Sequence, residues 1–123
     1  MNYLDVFKQL SNEIRFRIVA LLLEHELCVC AFEEITDLHQ AMISKHLNLL
    51  KKAGMVESRR EKQRIFYFLS DAFRQQDALI ETIANYKSKD DTLMDDQLRL
   101  AHHLKHKEEN VYVCQAFRKE NLA

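Results

Sequence analysis

Apolar residues recur three and four positions apart along most of this chain, and the places where that recurrence breaks outline its elements. Tyr3, Val6, Phe7 and Leu10 form one stripe and predict a short first helix. Ser11 or Asn12 can cap the next helix, Glu13 suits the positive end of its dipole, and Ile14, Ile18, Leu21 and Leu22 carry the period to about Glu24. Glu26 to Cys30 reads as extended, followed by a short helix from about Ala31 to Thr36 and a turn at Asp37, Leu38 and His39. A well-patterned helix is then predicted from about Gln40 to Ala53. Ile43, Leu47 and Leu50 fall on one face of it, and Ala41, Ser44, Lys45, Asn48 and Lys52 on another. Gly54, the only glycine, stands where a helix ends in a left-handed residue. Two helices joined by a tight turn, the second with a small, polar outer face, make a helix-turn-helix pattern.

From Met55 the period changes. Val56 to Arg60 and Arg64 to Leu69 are rich in β-branched and aromatic residues and predict two strands joined by a tip at Glu61, Lys62 and Gln63. Asp71 caps a single long helix to about Lys87, with Phe73, Leu79, Ile80, Ile83 and Ala84 on its apolar side. Leu93, Leu98, Leu100 and Leu104 leave room for one more helix between about Met94 and Lys107, and Val111 to Phe117, containing Cys114, is a short apolar patch. The absence of proline and the single glycine favour helix over an all-β fold. The expected architecture is mainly α (α+β): a winged helix-turn-helix with a two-stranded wing over residues 1–87, and a polar, helical C-terminal extension over 88–123.

Charge changes this picture in one place. The formal net charge of −1 argues against nucleic acid, yet Ser44 to Arg64 holds seven Lys and Arg against two Glu, while both flanks are acidic. Basic residues at a hairpin tip beside a polar helix face suit contacts to a phosphate backbone. The first ten residues lack a charged segment followed by an apolar one, and no apolar run approaches the roughly 20 residues that span a bilayer. A cytoplasmic protein without membrane contact is therefore expected. Its three cysteines then read as reduced thiols with a chemical task rather than a disulfide framework.

Four motifs in order resemble the ArsR/SmtB repressors, over about residues 6–87. Leu10-Ser11-Asn12-Glu13-Ile14-Arg15 is similar to their opening, and Glu26-Leu27-Cys28-Val29-Cys30 resembles the ligand motif of their arsenite-responsive branch. Gln40 with Ser44-Lys45-His46-Leu47 resembles their recognition helix, and Ala53-Gly54-Met55-Val56 followed by Arg59-Arg60 the turn into their wing. The resemblance implies a homodimer, joined through its first and fifth helices, on an inverted-repeat operator. Val6, Phe7, Leu79 and Ile83 are the candidate dimer contacts. Gln40, Ser44 and Lys45 are the candidates for base or nearby backbone contact, His46 for packing or phosphate, and Arg59, Lys62 and Arg64 for phosphates.

The effector it implies is arsenite or antimonite, held by Cys28 and Cys30. In many relatives a third cysteine follows three positions after the second; here that position is Glu33, leaving Cys114 as the remaining thiol. The pair has a logic of its own. Residues i and i+2 lie about 200° apart on an α-helix but share a face in an extended segment, so chelation through both needs an extended or distorted backbone. The helix N-terminus also favours the thiolate. Asp77 has no histidine beside it in its helix, so the zinc site of other branches is absent, and His102, His103 and His106 read as a surface cluster. A redox or persulfide sensor on the same fold is the alternative. A thiol-dependent enzyme or ion carrier is disfavoured, because no His and Asp constellation, Gly-rich loop or acidic pair accompanies the thiols.

Overall fold

The computed structural model describes residues 1–108. Seven helices and three short strands are seen among them: α1 (Tyr3–Leu10), α2 (Glu13–Leu22), β1 (Leu27–Cys28), α3 (Val29–Thr36), α4 (Gln40–Lys52), β2 (Val56–Glu61), β3 (Arg64–Leu69), α5 (Asp71–Arg74), α6 (Asp77–Tyr86) and α7 (Asp91–Glu108). Local chemistry starts most of them. The Asn2 and Asn12 side chains accept from the backbone N–H of Asp5 and Arg15, and Ser70 accepts from Phe73, each cap worth about 1 kcal/mol. Asp37 ends α3 and Gly54 follows α4, both in the left-handed region at φ 63° and 76°. A carboxamide or carboxylate side chain tolerates that region better than most, and glycine best.

Helix α2 is the centre of the molecule: Ile18 to Leu22 are consecutively buried. Phe32 and Ile35 from α3, Ile43, Leu47 and Leu50 from α4, and Met55, Leu69, Phe73 and Ile83 complete the core. The recognition-type pair α3 and α4 therefore rests on α2, with the sheet beside it.

Three features depart from the local pattern. Residues 27–28 form a third strand, so the sheet runs β1-β3-β2, all antiparallel, and the wing hairpin is rooted in β1 through Leu27 opposite Tyr67 and Cys28 opposite Phe66. The helix expected over 71–87 is split at Gln75 and Gln76, where Gln76 is non-helical at φ −82°, ψ 71°. A tertiary contact accompanies the break: the Arg74 guanidinium donates to the Leu22 and Leu23 carbonyls at 3.3 and 3.2 Å, satisfying the C-terminal end of α2. Finally, the helix expected in the extension packs against α2 and α3 and contributes Leu93 and Leu100 to the common core.

The apolar surface also differs from the expected dimer contact. Val6 and Ile83 are buried within their own protomer, and Leu79 is half-buried. Tyr3, Leu4 and Phe7 of α1 and Tyr86 of α6 are the large apolar residues left exposed there.

Candidate functional site

Helix α4 presents one face outward. Gln40, Ala41, Lys45, Asn48 and Lys52 are exposed and Ser44 is half-buried, while Ile43, His46, Leu47 and Leu50 point into the core. Its first turn is capped by the His39 ring, whose Nδ1 accepts from the Ala41 N–H at 3.1 Å. That cap was missed in the sequence, since histidine is not among the residues that usually occupy the position. At the other end, Lys51 donates to the Ser58 hydroxyl at 2.7 Å, tying α4 to the wing strand β2.

His46 is turned inward. Arg15 Nη1 lies 3.1 Å from its Nδ1. A guanidinium can only donate, so the ring accepts at Nδ1 and carries its proton on Nε2. Burial, then the charges of Arg15 and Lys45, hold the ring below the ordinary histidine value of 6.5. The unfolded chain therefore binds a proton that the folded one refuses as pH falls below about 6.5. Stability is expected to decline across that window and to level off below the folded value. His46→Gln should remove this part of the decline, read by thermal melts at pH 7.5 and 5.5; an unchanged pH dependence in the variant would contradict it.

Lys62 stands at the wing tip with φ 58°, exposed and left-handed without being glycine. Arg59 is differently placed. Its Nη1 donates to Glu61 at 2.7 Å, its Nε donates to Glu26, and its guanidinium lies 5.0 Å from the centre of the Phe66 ring. The hydrogen bond to Glu61, then that to Glu26, holds this group still more firmly protonated. Arg64 is half-buried and borders the crevice beside Cys28.

The cysteines sit where sheet becomes helix. Cys28 ends β1 and is the N-cap of α3, with extended backbone at φ −90°, ψ 167°; Cys30 is in the first helical turn. Half of the expected extended segment is therefore present, and both side chains are 5% exposed. Cys28 is a free thiol, whereas Cys30 is disulfide-bonded, so the expectation of reduced thiols holds at Cys28 and not at Cys30. Glu26, Leu27, Ala31, Arg64, Phe66, His103 and Leu104 enclose Cys28 around a crevice of about 10 Å³. Among the described residues, no group of three or more His, Cys, Asp or Glu is disposed to hold a metal ion. Cys114 lies outside the described residues. The histidine cluster divides: His103 is buried with Nδ1 3.0 Å from a Glu34 carboxylate oxygen, and His102 and His106 pack edge to face.

Comparison with known proteins accords with this geometry. A profile of the arsR family of bacterial regulatory proteins matches residues 12–58. The cadmium resistance transcriptional regulatory protein CadC of Listeria innocua is 47% identical over 66 residues, which are 53% of this chain and 56% of that one. The chain thus spans little more than half the length of that relative. The arsenic resistance transcriptional regulator ArsR1 of Pseudomonas putida is 37% identical over 98 residues, 78% of this chain and 75% of its own. The structure of HlyU from Vibrio cholerae superposes with a TM-score of 0.62 at 33% identity, covering 68% of this chain and 89% of HlyU. A homodimeric winged helix-turn-helix DNA-binding domain from Mycobacterium bovis gives 0.59 at 32% identity, covering 68% and 78%. No helix among the described residues is long and apolar enough to cross a membrane.

Proposed function

Because the chain belongs to the arsR family of bacterial regulatory proteins, whose fold is that of DNA-binding transcriptional regulators, we propose that it is a cytoplasmic, homodimeric repressor released from its operator when arsenite or antimonite binds its reduced cysteines. The observation that carries this reading is the position of Cys28-Val29-Cys30, at the joint between β1, which roots the wing, and α3, the first helix of the DNA-binding pair. An ion held there adjoins α3, which leads through a short turn into α4, and β1, to which the wing strand β3 is paired. Soft ions select thiolate over the surrounding carboxylates and imidazoles, and the arsenic and cadmium resistance roles in two relatives' names concern ions of that kind.

In this reading the exposed α1 and α6 residues Tyr3, Leu4, Phe7 and Tyr86 meet a second copy. Two α4 helices then enter successive major grooves of an inverted repeat. Gln40, Ser44 and Lys45 face the bases and nearby backbone, and Lys62 and Arg64 the phosphates. Arg59, engaged by two carboxylates, serves through the posture of the wing, and His46 supports α4 from behind. Cys114 is the proposed third sulfur, available together with Cys30 once the disulfide at Cys30 is reduced.

A shift assay on the protein's own promoter tests it. Under reducing conditions, arsenite is expected to weaken operator binding by roughly 5- to 150-fold, the usual range for one coupled effector. Cys28→Ser should bind the operator but resist release, since serine keeps the shape and loses the thiolate. A second reading, a redox switch, is favoured by the disulfide at Cys30. If release needs peroxide or polysulfide and a thiol reductant reverses it, that reading replaces the first.

A further inference from the structure

The sheet places Cys28, Phe66 and Arg59 in one cross-strand row. Cys28 is opposite Phe66 across β1 and β3, and Phe66 is opposite Arg59 across β3 and β2. Residues directly opposite on antiparallel strands project to the same face, with Cβ atoms about 4.5–5.5 Å apart. Side-chain contacts close the row into a loop. The Arg59 guanidinium stacks on Phe66 and bonds Glu26, two residues before Cys28, while its other arm holds Glu61 at the last position of β2 before the wing tip. Glu26, Phe66 and Cys28 border the same crevice.

We propose that Arg59 is a relay: through Phe66 and Glu26 it carries occupancy of the Cys28 thiol to the wing. This rests on Cys28 as an effector thiol, though not on which effector. At about 10 Å³ the crevice has room for one water at most. A heavy atom on Sγ must therefore push a wall aside. Leu27, Ala31 and His103 are buried, whereas Glu26 is exposed and Arg64, Phe66 and Leu104 are half-buried, so the outer walls yield, Glu26 and Phe66 among them. Those two walls are what Arg59 leans on. Once they move, Glu61 alone holds the guanidinium, and the strand leading to Lys62 loses its brace against β1. Glu26 and Arg59 are both close to half exposed, and ion pairs of that kind are weak enough for ligation to break.

Methylmercury chloride on freshly reduced protein tests the relay without requiring chelation. The thiol gives its proton to solvent, the Sγ–Hg bond forms as the Hg–Cl bond breaks, chloride leaves, and no electrons are exchanged. Mass spectrometry locates the adduct, and fluorescence anisotropy gives operator affinity with and without it. In the wild type, the Cys28 adduct is expected to lower affinity at least ten-fold, an effect missing in Cys28→Ser. In Glu26→Gln, Phe66→Leu and Arg59→Lys the adduct should still form but lower affinity less than three-fold. A merely structural role would weaken free and adducted protein alike and leave the ratio unchanged. Wild-type ratios in the variants overturn the relay, as does an unaltered affinity, or no adduct at all, at wild-type Cys28. Glu26→Gln, at the surface, keeps the test open should Phe66→Leu misfold. Arsenite failing to release a wild type that methylmercury does release would remove the proposed effector and leave the relay standing.

Discussion

Asp96→Ala is expected to cost about 3–5 kcal/mol of stability, the range for stripping one partner from a buried ion pair. Asp96 of α7 is 1% exposed and receives Arg17 Nε at 2.8 Å and Nη2 at 2.9 Å from the central helix α2. The same Nη2 reaches the Thr36 carbonyl at 3.4 Å, so one guanidinium joins α2, α7 and the end of α3. Asp96 holds it more firmly charged than usual, its hydrogen bonds being the largest influence. Alanine would leave that charge largely out of water with one long hydrogen bond. For a chain of 123 residues this should lower the melting temperature by roughly 10–20 °C. The double variant Arg17→Met with Asp96→Leu should recover most of the loss, because apolar residues of similar size often replace a buried pair at no net cost. A loss below about 1 kcal/mol in Asp96→Ala would mean that this pair does not fasten α7 to the core.

Lys45→Glu is expected to have the largest effect on DNA, weakening operator binding at least about 100-fold at moderate salt. Lys45 is exposed on the outer face of α4, and the proposed symmetric dimer would present it twice. Reversing it replaces two attractions to the phosphate backbone with two repulsions. The slope of log affinity against log salt should fall by about two, near 0.9 for each phosphate that the variant no longer neutralises. Gln40→Ala, at the start of the same face, should instead erode sequence preference, because amide side chains read base edges. Titrations against operator and random duplexes at several salt concentrations separate the two. An unchanged salt slope for Lys45→Glu, or equal losses on both duplexes for Gln40→Ala, would move the interface away from this face of α4.

The helix-turn-helix and wing were legible because each is written in short-range pattern. Ile43, Leu47 and Leu50 share a face by their spacing alone, Gly54 occupies a backbone conformation that few other residues accept, and the β-branched and aromatic content of Arg64 to Leu69 is a property of adjacent positions. The cysteine pair was read only in part: extended backbone was expected through Cys30, and Cys28 is extended, but Val29 and Cys30 already belong to the first turn of α3. Hydrophobic period also placed a helix in the last third of the described chain, within three residues at its start.

Partners distant in sequence decided the rest. Arg59 and Lys62 are both basic residues of one hairpin, but only Arg59 lies within reach of Glu26, 33 positions away. His46 was open to either packing or phosphate contact, and Arg15, 31 positions away, holds it inward. Whether residues 27–28 remained a linker or became the strand that roots the wing depended on β3 arriving beside them, and Arg17 found Asp96 across 79 positions. Periodicity reports which face of an element is apolar because neighbours three or four apart share that face. Which carboxylate a given guanidinium meets depends on how elements pack, and no local pattern of residues carries that distance.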